Sequence, residues 1–338
     1  MAVHPDRGIL KKTFSQFDYY TLQRCRAAWK CFLEWKRAVE VEANHSPLKP
    51  GMKLKIEWRG VEKRYTLWRA ELDVYHQQIP EESSGIATQY TRPKDNPLKG
   101  CIEGNSSELW FDVAEARKIG PRRFSQILFG RICGKGPLLC LKLFDERHFP
   151  YPDDSDNPDA PKVDWGAPPS QRLLDLHFAV DMVRREESAF DRLKDFQGSL
   201  IPHFFGNHFF TLANDWVFPG VLMEVIEGPV FGECDVDGWT TEEQRSFVTH
   251  VRHGLRVLKF AGIEQTDWHE GQIMCPLNSF GQRHAVFMDF AFANQRLGEH
   301  KGKPVTDDAE WLKLLLTDCG IDEEVMKECW FDLVDEER

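Results

Sequence analysis

The run Leu138-Leu139-Cys140-Leu141-Lys142-Leu143-Phe144 constrains the fold of this chain more than any other stretch. It has the length and composition of a buried strand, with one charge inside it. A lysine in that position costs several kcal/mol, about the effective burial penalty for an ion, unless its ammonium finds a partner. Lys142 therefore needs an anionic partner or must snorkel from an edge strand. A second apolar run, Ala285-Val286-Phe287-Met288, leads straight into Asp289-Phe290-Ala291. There the strand fixes the backbone and the carboxylate emerges at its tip, a suitable place to hold a metal ion.

The rest of the chain reads as alternating α and β segments. Leu22, Cys25, Trp29, Phe32 and Leu33 recur at helical spacing, which predicts one amphipathic helix over 18–42 with a solvated basic face. Met52, Leu54, Ile56 and Trp58 alternate with polar residues and predict a strand, with 62–75 returning as its hairpin partner. Residues 80–106 read as a linker. Strands are expected over 109–119, 124–133 and 138–144, with Gly134-Lys135-Gly136 turning between the last two. An exposed Pro- and Asp-rich loop covers 150–169, and Ser170 caps a helix reaching about 195. Further strands follow over 200–230. Thr240 and Glu243 form a capping box ahead of Phe247, Val251, Leu255 and Leu258. Two acidic helices are expected over 307–318 and 322–333.

A net charge of −11 makes a nucleic-acid backbone or an anionic membrane an unfavourable partner. No run approaches the ~18 apolar residues of a membrane span. Nine cysteines without a CxxC pair fit reduced thiols in a cytoplasmic protein rather than a disulfide framework or zinc template. Walker, dinucleotide-binding and GxSxG patterns are absent from the sequence.

The succession of a lysine-bearing strand, a helix with an acid, a strand closing on Met223-Glu224, a helix, a loop with Asp267 and Gln272, and a strand ending in Asp289-Phe290 resembles the protein-kinase-like superfamily. It is especially similar to divergent fungal kinase-like proteins, in which LKL(F/Y)D and IDFA strands occur. The resemblance implies an α+β, two-lobed protein-kinase-like fold with an abbreviated C-terminal lobe and an added N-terminal helix and β-hairpin. Residues 1–106 would be the extension, 107–228 the first lobe and 229–338 the second. No Ala-Pro-Glu segment follows Asp289.

Carried onto this sequence, the resemblance implies ATP and Mg²⁺ in a cleft between the lobes and transfer of the γ-phosphoryl group to an unknown hydroxyl acceptor. Lys142 would hold phosphates, with Glu186 (or Glu187) as its partner. Gly120 would begin a phosphate-covering loop whose other glycines are replaced by Arg122 and Ser125. Met223, Glu224 and Ile226 would line the adenine segment. Asp267 would accept the acceptor's proton, and Asp289 with Gln272 would hold metal. Gln265-Thr266 in place of His-Arg, Gln272 in place of Asn and Ala291 in place of Gly imply a second possibility, a catalytically impaired pseudokinase acting as a binding or scaffold module.

Overall fold

The computed structural model describes residues 17–57, 79–93, 108–117, 123–278, 280–295 and 308–330. Their α-helices are α1 (Tyr19–Arg24), α2 (Arg26–His45), α3 (Glu81–Ala87), α4 (Ala179–Arg192), α5 (Thr241–Phe260), α6 (Asp308–Asp318) and α7 (Glu323–Cys329). The chain divides into two compact units. A barrel unit comprises Met1–Val61, Asn96–Val183 and Phe205–Met223. A helical unit comprises Glu62–Asp95, Arg184–Phe204 and Glu224–Arg338.

Six antiparallel strands close into a barrel: β1 (Lys53–Glu57), β2 (Leu109–Ala116), β3 (Gln126–Ile132), β4 (Lys135–Leu143), β5 (Phe204–Thr211) and β6 (Val217–Glu224). Their order is β1-β2-β3-β4-β6-β5, and β1 closes the ring by pairing with both β2 and β5. This corrects the expected two-lobed kinase-like fold with an added N-terminal helix and β-hairpin. The strand assigned to an N-terminal hairpin is a stave of the barrel. Leu54 lies opposite Phe111 and Ile56 opposite Phe210, so the apolar face of β1 enters the same core as Leu128, Leu141 and Leu222. Closure gives each of these six strands a neighbour on both sides. The partner expected at 62–75 lies outside the described residues.

The β3–β4 turn falls one position earlier than expected. Cys133 and Gly134 both have positive φ, 50° and 67°, the pattern of a two-residue type I′ hairpin. At Gly130, where the β3–β4 register shifts, an added Cβ would lie 2.3 Å from the Asp112 carbonyl oxygen and 2.7 Å from the Phe111 ring. Gly130→Ala is therefore expected to destabilise the protein by about 3 kcal/mol, read as a lower urea midpoint with an unchanged slope. An unshifted midpoint would show that the bulge can absorb a methyl group.

The single helix expected over 18–42 is interrupted at Cys25, whose backbone is extended; Asp18 caps α1 and the Cys25 thiol caps α2. The packed face of α2 is Trp29, Phe32, Lys36, Val39 and Ala43, so one of its basic residues is buried rather than solvated. The helix expected from Ser170 begins instead at Ala179. Ser170 sits in a short 3₁₀ turn after two prolines, and Leu173 takes φ +58°. The Glu146 carboxylate accepts the Ala179 N–H at 2.5 Å and caps α4 in its place. Within the stretch read as a linker, Glu81–Ala87 is helical, with Pro80 and two acids at its start. It packs on α5, where Ser83 Oγ lies 3.0 Å from His253 Nδ1. The Thr240–Glu243 capping box forms as expected.

Candidate active site

In the helical unit two short antiparallel ladders are nested. β7 (Ile263–Glu264) pairs with β10 (Asn294–Gln295), and β8 (Ile273–Met274) pairs with β9 (Val286–Phe287). Between the ladders the chains separate, leaving residues 265–272 facing residues 288–293. This opening in the ladder contains Asp267 and Gln272 on one side and Asp289 on the other. Three hydrogen bonds cross it. Gln265 Nε2 donates to the Asp289 carbonyl at 2.6 Å, Thr266 Oγ1 to the Phe292 carbonyl at 2.9 Å, and the Met288 N–H to the Gln272 carbonyl at 2.9 Å. The Trp268 and Phe287 rings meet edge to face at 5.3 Å.

Asp289 leaves the ladder with φ +64°, in the left-handed region that aspartate enters more readily than most non-glycine residues. The Gln265 bond to its carbonyl restrains it there. The Asp289 carboxylate also accepts the Ala291 N–H at 3.5 Å. Asp289 is half-buried and Asp267 exposed.

Gln272 is 1% exposed, and neither atom of its amide has a hydrogen-bond partner among the described residues. Gln265 Oε1 and Trp268 Nε1 are in the same condition. A buried polar group without a partner costs ~1–3 kcal/mol, so three such residues in one loop mark a place that a polar ligand could complete. Among the described residues no group of three or more His, Cys, Asp or Glu side chains could hold a metal ion. A cation here would draw on the Gln272 amide oxygen and on oxygens of its own ligand. Mg²⁺ suits that pattern, since it binds through one or two carboxylates together with water and phosphate oxygens. The unpartnered Gln272 amide oxygen is compatible with such an ion.

No family model matches this chain, and no curated protein matches its sequence significantly.

The other expected site residues are distributed as follows. Lys142 lies on β4 in the barrel unit, 3% exposed, with Nζ 5.1 Å from the Phe144 ring centroid. Leu139, Leu141 and Leu143 face the barrel core, so strand alternation turns Lys142 to the opposite face. Met223 ends the barrel unit and is buried. Glu186 lies on α4 within the helical unit and is fully buried. Ile226 packs with Met274 and Val286 beneath the inner ladder. The Glu224 carboxylate takes both arms of Arg92, at 2.7 and 3.2 Å, and its N–H donates to the His203 carbonyl at 2.9 Å. Arg92 also donates to the carbonyls of Ser199 and Ile201, so Glu224 anchors a structural latch. Gly120 lies outside the described residues.

Gln265 and Trp268 are the members of the opening that the sequence reading did not assign to the site. Their only local signal is position, between a short strand and Asp267 or just after that residue.

Proposed function

We propose that the opening between the two ladders binds ATP with Mg²⁺, and that the protein is an atypical phosphotransferase acting on a hydroxyl acceptor. The observation that carries this reading is the buried Gln272 amide with both atoms unpartnered, across the opening from an Asp289 held in a left-handed conformation. The Gln272 oxygen and the Asp289 carboxylate would hold the ion. When bound, Mg²⁺ supplies charge that neutralises the phosphate oxygens. Asp267, exposed on the loop, would orient the acceptor hydroxyl and take its proton on a carboxylate oxygen. Gln265 would keep Asp289 in place through its carbonyl. The reading rests on these residues and does not depend on a kinase-like fold.

Thermal denaturation tests it. ATP with Mg²⁺ is expected to raise the wild-type midpoint, and EDTA to abolish the rise. At ligand concentrations 100-fold above Kd the gain is ~2.7 kcal/mol. Asp289→Ala and Gln272→Ala should lose it. Asp267→Asn should keep it while phosphoryl transfer to a hydroxyl acceptor falls ~10²-fold or more. Absence of Mg²⁺-dependent stabilisation in the wild type would overturn the proposal. Stabilisation without transfer would assign the site to nucleotide binding alone.

A further inference from the structure

Cys234 and Cys275 are neighbours in the helical unit, close enough for each thiol to shift the pKa of the other. The backbones that carry them are joined. The Cys275 N–H donates to the Pro229 carbonyl at 2.9 Å, and Val230 forms an antiparallel bridge with Met274. Cys234 follows a 3₁₀ turn at Phe231–Glu233 and keeps its sulfur 3.5 Å from the Val230 carbonyl. The two thiols differ in environment. Cys275 is buried, and the Cys234 contact together with burial raises its pKa. Cys234 is half-buried, and the neighbouring Cys275 thiol lowers its pKa, with a further contribution from Arg283. Arg283 is held over the Trp239 ring at 5.0 Å. An accessible thiol of greater thiolate character beside a buried partner is the arrangement of an attacking and a resolving cysteine.

We propose that Cys234 and Cys275 form a redox-active dithiol that exchanges with low-molecular-weight disulfides of the glutathione class. The Cys234 thiolate attacks one sulfur of the external disulfide, breaking its S–S bond and releasing one thiolate. Cys275 then attacks Cys234 Sγ, its proton passes to the first released thiolate, and the second external sulfur leaves as a thiolate that takes up a solvent proton equivalent to the one Cys234 gave up on ionising. The protein loses two electrons and two protons, and the external disulfide is reduced to two thiols. The new bond would tie the Phe231–Cys234 turn to the strand that follows Gln272. The inference does not depend on nucleotide binding, and its test contains no nucleotide.

The test equilibrates the full chain in glutathione redox buffers, blocks free thiols with iodoacetamide and maps the peptides by mass. A Cys234–Cys275 linked peptide is expected to appear as the buffer becomes oxidising, with the loss of two hydrogens from the intact mass. Cys275→Ser should trap Cys234 as a mixed disulfide with glutathione, and Cys234→Ser should abolish both products. The wild-type map stands by itself if either variant fails to fold. The proposal is overturned if both cysteines remain alkylated in the most oxidising buffer, or if Cys234 pairs with another thiol such as Cys319.

Discussion

Replacing Asp145 with alanine is expected to lower the unfolding free energy by ~3–5 kcal/mol, the usual cost of removing one partner from a buried ion pair. Asp145 and Arg147 are buried in the barrel unit, with Arg147 only 1% exposed. Arg147 Nε donates to both carboxylate oxygens, at 2.9 and 3.2 Å, and Nη2 donates at 2.6 Å. The guanidinium also lies over the rings of Trp216 and Phe218, 5.1 and 5.0 Å from their centroids. Cation–π contacts of this kind cannot replace the carboxylate, because each supplies only ~0.5–2 kcal/mol against the desolvation of a whole charge. Urea unfolding of Asp145→Ala measures the effect. The double variant Asp145→Leu/Arg147→Met should lose much less, since it removes both charges and keeps the volume. A loss below ~1 kcal/mol for Asp145→Ala would place the pair with ordinary surface bridges.

That buried pair also marks a limit of what local sequence can show. The run 138–144 announced a strand, and β4 occupies Lys135–Leu143. Its apolar face and the Thr240–Glu243 cap are encoded within a few residues, so periodicity and cap chemistry suffice to find them. Asp145-Glu146-Arg147 looks locally like a charged turn after that strand. Its burial depends on Trp216, Phe218 and α2, which come from distant parts of the chain. Barrel closure fails to show for the same reason. Leu54 and Ile56 identify a half-buried strand, but its pairing with Phe210 is a long-range choice that no local pattern fixes. In the candidate site, Asp267, Gln272 and Asp289 enter through the resemblance to kinase-like motifs. Gln265 had been read only as a departure from a motif; it is the residue that donates to the Asp289 carbonyl.

Two groups packed beside Arg147 are expected to contribute a stability that falls as pH rises from about 4.5 to about 8 and recovers between about 8 and 10.5. His250 and His284, lowered by burial to about 3 and about 4, act in the opposite sense below pH 6.5. Burial pushes Glu146 up from 4.5 to about 8, against the lowering effect of the Ala179 N–H. The folded protein therefore keeps a proton that the unfolded chain releases above pH 4.5, and this stabilisation is lost as pH passes the folded value. Burial pushes Lys36 down from 10.5 to about 8, although Glu40, Asp145, Glu146 and Asp154 all oppose the shift. Its ammonium donates to the Arg147 carbonyl at 2.6 Å. Above pH 8 the unfolded chain retains the Lys36 proton and the folded protein does not, so rising pH favours folding until both forms are neutral. Glu40, raised by burial, adds to the acidic arm, while His148, lowered by burial, opposes it near its ordinary value of 6.5. With each pKa unit worth ~1.4 kcal/mol, the Glu146 arm amounts to a few kcal/mol. Glu146→Gln keeps an acceptor for the Ala179 N–H but cannot ionise. Urea unfolding should therefore find it close to the wild type at pH 5 and more stable at pH 8. Lys36→Met should flatten the alkaline arm while leaving the acidic one. Parallel wild-type and Glu146→Gln stability curves from pH 5 to 8 would show that this carboxyl ionises alike in the folded and unfolded chains.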